Sequence, residues 1–162
     1  VNLEHISSFS VTRSVLLSTE KELLEAGDNG FELFVLWSGK SGSDETFEIT
    51  THHVPEQESF KTSEGLLVRV SGPALHRLNS MLYETGERLA AQVHAHPTSA
   101  FHSHTDNSYP IVTALGGLSI VVPDFATRGV FTRGTAGYRL TNSGWTKISK
   151  RRLSRMLRVV EG

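Results

Sequence analysis

The sequence predicts an α+β domain in which helices pack on a mixed sheet. Strand-like apolar runs and segments of helical apolar spacing alternate without the regular strand-helix-strand rhythm of a parallel sheet. A length of 162 residues also suits one core, since a chain of this size can bury roughly 70% of its extended surface. Val15, Leu16, Leu23 and Leu24, with Lys and Glu between them and Gly27 beyond, predict a first helix from about Thr12 to Ala26. Phe31 to Trp37 is an apolar run broken only by Glu32; Ser38 to Ser43 reads as a turn, and Thr46 to Val54 as the returning strand of a hairpin. A strand is expected at Leu66 to Val70. Gly72-Pro73 then opens a helix with Leu75, Leu78, Met81 and Leu82 on one face, which Gly86 stops. Leu89 to His96 and Leu118 to Val122 are expected as strands, the second closed by Pro123. Tyr138 to Leu140 and Trp145 to Ile148 form a hairpin around Asn142-Ser143-Gly144. From Lys150 to Gly162, Leu153, Met156, Leu157 and Val160 recur at helical spacing opposite Lys150, Arg151, Arg152, Arg155 and Arg158, predicting an amphipathic basic helix at about 149–160. That helix either packs on the domain with a solvated face or docks a partner.

Composition narrows the function. Sixteen Lys plus Arg against 17 Asp plus Glu give a net charge of -1, so there is no general electrostatic case for nucleic acid or an acidic membrane surface. Without cysteine there are no disulfides, thiolate metal sites or cysteine nucleophiles, and any metal must be held by His, Asp, Glu or water. No apolar run is long enough to span a membrane, and Val1 to Ser10 lacks the charged start and apolar core of a signal peptide. A soluble cytoplasmic protein is the expectation.

The chemistry concentrates in Gln92 to Asp106. On a strand, residues two apart share a face at roughly 6.6–6.8 Å, so His94 and His96 can converge two imidazoles on one ion while Val93 and Ala95 face the core. Pro97 ends the strand. The following loop can bring Asp106 back as an oxygen ligand, giving two His and one carboxylate with a fourth tetrahedral position open for water, as in catalytic zinc sites. By itself a His-x-His pair also occurs in satisfied cores and in unrelated metal folds.

His94-x-His96-Pro97, a short loop, Ser103-x-x-Asp106 and a distant upstream Glu resemble the JAMM motif of MPN-type metalloproteases. Glu32 to Gly39 and Gly117 to Phe125 are similar to the bacterial JAB branch found with ubiquitin-like conjugation systems. The resemblance covers most of the chain and implies one JAB/MPN domain over residues 1–162, with a three-layer-like, cytidine-deaminase-like fold: a mixed, mostly antiparallel sheet flanked by helices. It further implies one zinc ion with a catalytic water, held by His94, His96 and Asp106, with Glu32 as general acid and base and Ser103 as hydrogen-bond donor to the oxyanion. The implied activity is a deubiquitinase-like isopeptidase or peptidase that cleaves after the C-terminal tail of a ubiquitin-like protein. Its partners would be that protein or its conjugates, and E1- and E2-like proteins of the same system. One departure stands out: Asp106 lies ten residues after His96, where the usual interval is eleven.

His102 and His104 flank Ser103 and could replace a ligand; if Ser103 faces the metal in an extended loop, they face away from it. His52 and His53, at a strand end before Pro55, read as surface residues. The rival functional class is an MPN-like scaffold without hydrolytic activity, although every catalytic residue type is retained. A zinc deaminase would need a cysteine pair that this chain lacks, and a phosphoesterase of the His-x-His type usually calls for more carboxylates and a second metal.

Overall fold

The computed structural model describes residues 2–62, 65–100 and 111–162. Their elements run β1 (Ser8–Thr12), α1 (Arg13–Asp28), β2 (Phe34–Ser43), β3 (Thr46–His53), β4 (Gln57–Thr62), β5 (Gly65–Val70), α2 (Gly72–Thr85), β6 (Arg88–Ala95) and β7 (Leu118–Val122). A single turn at Asp124–Ala126 leads to β8 (Ala136–Thr141), β9 (Gly144–Ile148), α3 (Lys150–Met156) and β10 (Leu157–Val160). Eight strands form one sheet in the order β10-β1-β3-β2-β6-β7-β8-β9, and β4 and β5 form a separate hairpin. Pairings within the large sheet are mixed but mostly antiparallel, with β10-β1, β1-β3 and β6-β7 parallel. The chain is therefore α+β, as the interspersed patterns predict.

The two faces of the sheet carry different chemistry. Val35, Val93 and Ile120 stand in register across β2, β6 and β7, fully buried in the main core with residues of α1 and α3. Trp37 locks α1 onto this face: its indole N–H donates to Thr19 Oγ1 at 2.8 Å, and the Thr19 hydroxyl donates to the Val15 carbonyl. On the opposite face, Leu36 meets Leu78 and Leu82 of α2, and Phe34, His94 and Val121 share a register. Caps fix the helix starts. Thr12, Ser71 and Ser149 each accept a hydrogen bond from the third residue beyond, and α2 ends on Gly86 in the left-handed conformation at φ 74°.

Four expectations are corrected. Ser38 to Ser43 is not the hairpin turn but the second half of β2, and the turn falls at Asp44-Glu45. The glycines there mark irregular pairing rather than chain reversal: register shifts occur at Ser38/Gly39 and Ser41/Ser43, and a Cβ on Gly39 would lie 1.8 Å from the Glu48 carbonyl oxygen. Glu32 is not inside a strand, because β2 begins two residues later. The C-terminal helix stops at Met156, and residues 157–160 become β10, where Val159 and Val160 extend along β1. His53 is no surface residue. It is half-buried, and its Nε2 lies 2.7 Å from Ser38 Oγ, whose own hydrogen goes to Glu87 Oε1.

Candidate metal centre

The site grows from the end of a central strand. β6 lies between β2 and β7, and its residues alternate between faces: Ala91, Val93 and Ala95 enter the apolar core, while Gln92, His94 and His96 point the other way. His94 and His96 are 2% and 6% exposed, and their Nε2 atoms are 3.3 Å apart. Two imidazole nitrogens bound to one tetrahedral ion at about 2.0–2.1 Å would also stand about 3.3 Å from each other. The pair thus suits a shared zinc without rearrangement. The His94 ring packs on Phe34 of β2, with centroids 4.5 Å apart, which fixes its plane.

Glu32 reaches the same place from the neighbouring strand's approach. The antiparallel register sets Phe34 opposite His94, so the segment just ahead of β2 passes the end of β6, and Glu32 Oε1 comes within 3.6 Å of His96 Nε2. The Glu32 side chain is nine-tenths buried, where a carboxylate is tolerated only beside positive charge or hydrogen-bond donors. The entry to β2 is bracketed by Gln57. Its side-chain carbonyl accepts from the Phe34 N–H at 2.7 Å and its amide donates to the Phe34 carbonyl at 3.0 Å, imitating one rung of a ladder. Beside Glu32 a groove of about 470 Å³ opens between Phe31-Leu33 and Gln57-Phe60.

His96 is held from both sides of its peptide. Its N–H donates to the Val122 carbonyl, and its carbonyl accepts from the Phe125 N–H at 2.8 Å; the Asp124 N–H reaches the Thr98 carbonyl at 2.9 Å. These donors come from a left-handed turn, with φ of 54°, 53° and 61° at Asp124, Phe125 and Ala126. For non-glycine residues that conformation costs roughly 1–2 kcal/mol each. Such strain concentrates where the surrounding structure needs a particular backbone direction. Gly27 of α1 accommodates the turn, since a Cβ there would sit 2.6 Å from Phe125 Cβ.

Glu32, His94 and His96 are thus brought together, while Ser103, Asp106, His102 and His104 lie outside the described residues. Among the described residues no three His, Asp or Glu side chains form a complete ion-holding group. The two histidines fit part of a zinc donor set; Asp106, the third ligand that the motif implies, lies outside the described residues.

Over 158 residues, 97% of each chain, the protein is 36% identical to a protein of Sinorhizobium fredii named probable metalloprotease y4jG. The chain belongs to that protein's family. No family model matches the chain. In fold it is similar to the solution structure of protein DSY2949 from Desulfitobacterium hafniense, with a TM-score of 0.62 and 11% identity, covering 95% of this chain and 94% of the other. No helix among the described residues is long and apolar enough to cross a membrane.

Sequence reasoning missed one residue of this candidate site. Gln92 is 1% exposed, two residues before His94 on the same face. Its Oε1 accepts from the Ile111 and Val112 N–H groups, at 3.2 and 3.0 Å, and its amide donates to Ser119 Oγ. It therefore anchors the chain at residues 111 and 112, the first described residues after the segment that contains Ser103 and Asp106. A polar residue on an otherwise apolar buried strand, in phase with two histidines, is the signal that could have found it.

Proposed function

We propose that the chain is a zinc-dependent peptidase of the JAMM type, with the MPN/JAB fold, that cleaves the peptide or isopeptide bond after the C-terminal tail of a ubiquitin-like protein. The observation that carries this reading is the buried Glu32 carboxylate 3.6 Å from His96, beside a histidine pair at zinc-sharing separation. The name of the Sinorhizobium relative supports metal-dependent proteolysis. His94, His96 and Asp106 would hold the ion; when bound, zinc supplies Lewis acidity, lowering the pKa of water to about 7 and polarising a carbonyl. Glu32 takes a proton from the attacking water and delivers it to the leaving amine, a role its position next to His96 allows. Phe34 keeps the His94 ring in plane, and Ser103 donates to the oxyanion. The groove between Phe31 and Phe60, bordered by β4, suits an extended tail that adds to a strand edge. E1- and E2-like proteins of the same system are the further partners this reading proposes.

Metal analysis of the dialysed protein is expected to give one zinc per chain, lost in Asp106→Ala and kept in His102→Ala and His104→Ala. The decisive assay is cleavage of a ubiquitin-like fusion or isopeptide conjugate by wild type and by Glu32→Gln. Glu32→Gln keeps its zinc but loses about 10²- to 10⁴-fold in rate, because an amide cannot accept the proton. Equal rates would remove Glu32 from the mechanism. Zinc-loaded wild type that leaves the ubiquitin-like partner of its own system intact would favour the scaffold reading.

A further inference from the structure

Charge is unevenly distributed along this chain. From Phe125 to Val160 it carries nine of its 16 Lys and Arg and none of its 17 Asp and Glu, so the remainder holds seven cations against 17 acids. The cationic part gathers around α3. Leu153 and Met156 enter the core, leaving Arg151, Arg152 and Arg155 exposed at the three- and four-residue spacings that make neighbours on a helix. Arg133 and Lys150 are exposed on one flank, where the Lys150 ammonium caps the Arg133 carbonyl. Among the described residues, none of these five side chains pairs with a carboxylate.

Two clefts border the helix. Along one side runs a groove of about 550 Å³, floored by Phe131, Leu153 and Leu157 and rimmed by Arg133 and Lys150. Phe131 leaves 38% of its surface exposed there. On the other side Arg152 and Arg155 face Arg139 across a cleft of about 250 Å³ that Glu4 and His5 also line. The Arg139 guanidinium is already engaged by the carbonyls of Gly116, Leu3 and Ile6. Burial, and after it the neighbouring charge of Arg152, lowers its pKa, so positive charge is crowded on this side of the helix.

We propose that α3 and the groove beside it dock an acidic segment of a partner protein, with an apolar side chain against Phe131 and Leu157 and carboxylates on Arg133, Lys150, Arg151 and Arg155. The surface goes beyond the peptidase reading, because α3 packs on the sheet face opposite His94. A protein segment fits better than nucleic acid on two grounds. A phosphodiester backbone has nothing to place in an apolar groove, and a long polyanion would run off the patch onto a surface dominated by acids. A short acidic stretch along the Phe131 groove meets Arg133 and Lys150 and no carboxylate of its lining.

Fluorescence anisotropy with the zinc-loaded full chain tests this, using a labelled short peptide of alternating Glu and Leu. Matched probes of Glu alone, of alternating Lys and Leu, and of oligothymidylate serve as comparisons. The Glu-Leu peptide is expected to bind most tightly, Glu alone more weakly for lack of an apolar anchor, and Lys-Leu not at all. Arg151→Glu with Arg155→Glu should weaken binding by about tenfold or more with unchanged melting temperature, and Phe131→Ala, whose ring also packs on Trp37, by several-fold, both with unchanged zinc content. If the charge-reversed protein is less stable, Arg151→Gln with Arg155→Gln gives the same direction more gently. Tighter binding of oligothymidylate, equal binding of the Lys-Leu peptide, or concentration-dependent dimerisation that these variants abolish would each overturn the proposal, the last by showing that a second copy occupies the surface. The peptidase reading is tested separately by cleavage and stands or falls on its own.

Discussion

Strand β6 serves two faces that behave as different materials. On one, Ala91, Val93 and Ala95 join an apolar core in which shape and volume decide the outcome. On the other, Gln92, His94 and His96 are equally buried, yet they form a polar array: Gln92 bonds Ser119 and the Ile111 and Val112 N–H groups, and the two imidazole Nε2 atoms meet at 3.3 Å. A single strand achieves this because successive side chains alternate. The lesson is that burial alone does not separate the apolar core from the candidate site here; the parity of the residue along β6 does.

The strongest way to break this comparison is to truncate one residue on each face of the sheet, the apolar one being Ile120 of β7, the register partner of Val93. His94→Ala should lose nearly all bound zinc and all zinc-dependent hydrolysis while remaining folded by near-ultraviolet circular dichroism. Ile120→Ala, on the apolar face, should cost about 2–5 kcal/mol in urea denaturation and leave zinc per folded molecule unchanged. Should Ile120→Ala empty the site as His94→Ala does, the two faces are not independent.

A smaller effect should appear where a residue of the polar face does structural work. Gln92→Leu leaves the Ile111 and Val112 N–H groups without their acceptor, at a cost of about 1–3 kcal/mol. Competition with a chelator is expected to show faster zinc loss, because residues 111 and 112 are no longer tied to the strand that carries His94. Unchanged zinc retention would reduce Gln92 to a packing residue.

Gly27→Ala sharpens the boundary from the other direction. The added methyl meets Phe125 from the apolar side, for about 1–3 kcal/mol of overpacking, and pushes on the turn that holds the His96 carbonyl. Stability and zinc retention should fall together. A loss of stability alone would mean that the turn yields without moving His96.

The mildest effect is a pH slope. Burial, as the largest cause, places the His53 pKa below its ordinary value, with Glu87 opposing and His52 adding to the shift. Between that lowered value and about 6.5 the unfolded chain binds more protons than the folded one, so stability rises with pH through this window and is lost on acidification. His53→Gln should flatten the slope just below about pH 6.5 in thermal melts. An unaltered slope would assign it elsewhere.

What the sequence disclosed follows the same physics. Leu118–Val122 was legible because a β-branched run closed by proline has few alternatives, and α2 because Pro73 and Gly86 punctuate it. β1, β4 and β10 were not legible: they are short, β1 is a strand chiefly through β10 and β3 on either side of it, and β10 through β1 alone. Leu153, Met156, Leu157 and Val160 keep helical spacing across the junction of α3 and β10, which is why periodicity alone extended the helix too far. In the site, the spacing of His94 and His96 revealed their common face. The nearness of Glu32 arises from the Phe34-His94 register, a relation between strands that no local pattern encodes. Ser103 and Asp106 rest on the motif alone.

The pairing of β1 with β10 has a consequence in time. Phe9 is matched with Leu157, partners from opposite ends of the described chain, whereas β2, β3, β6 and β7 find one another over shorter loops. Closing the longest loop is the slowest search, so the strands that frame the histidines can assemble before the sheet acquires its β10 edge. Substitutions in β10 should then act chiefly on how fast the finished protein comes apart, and little on how fast it forms.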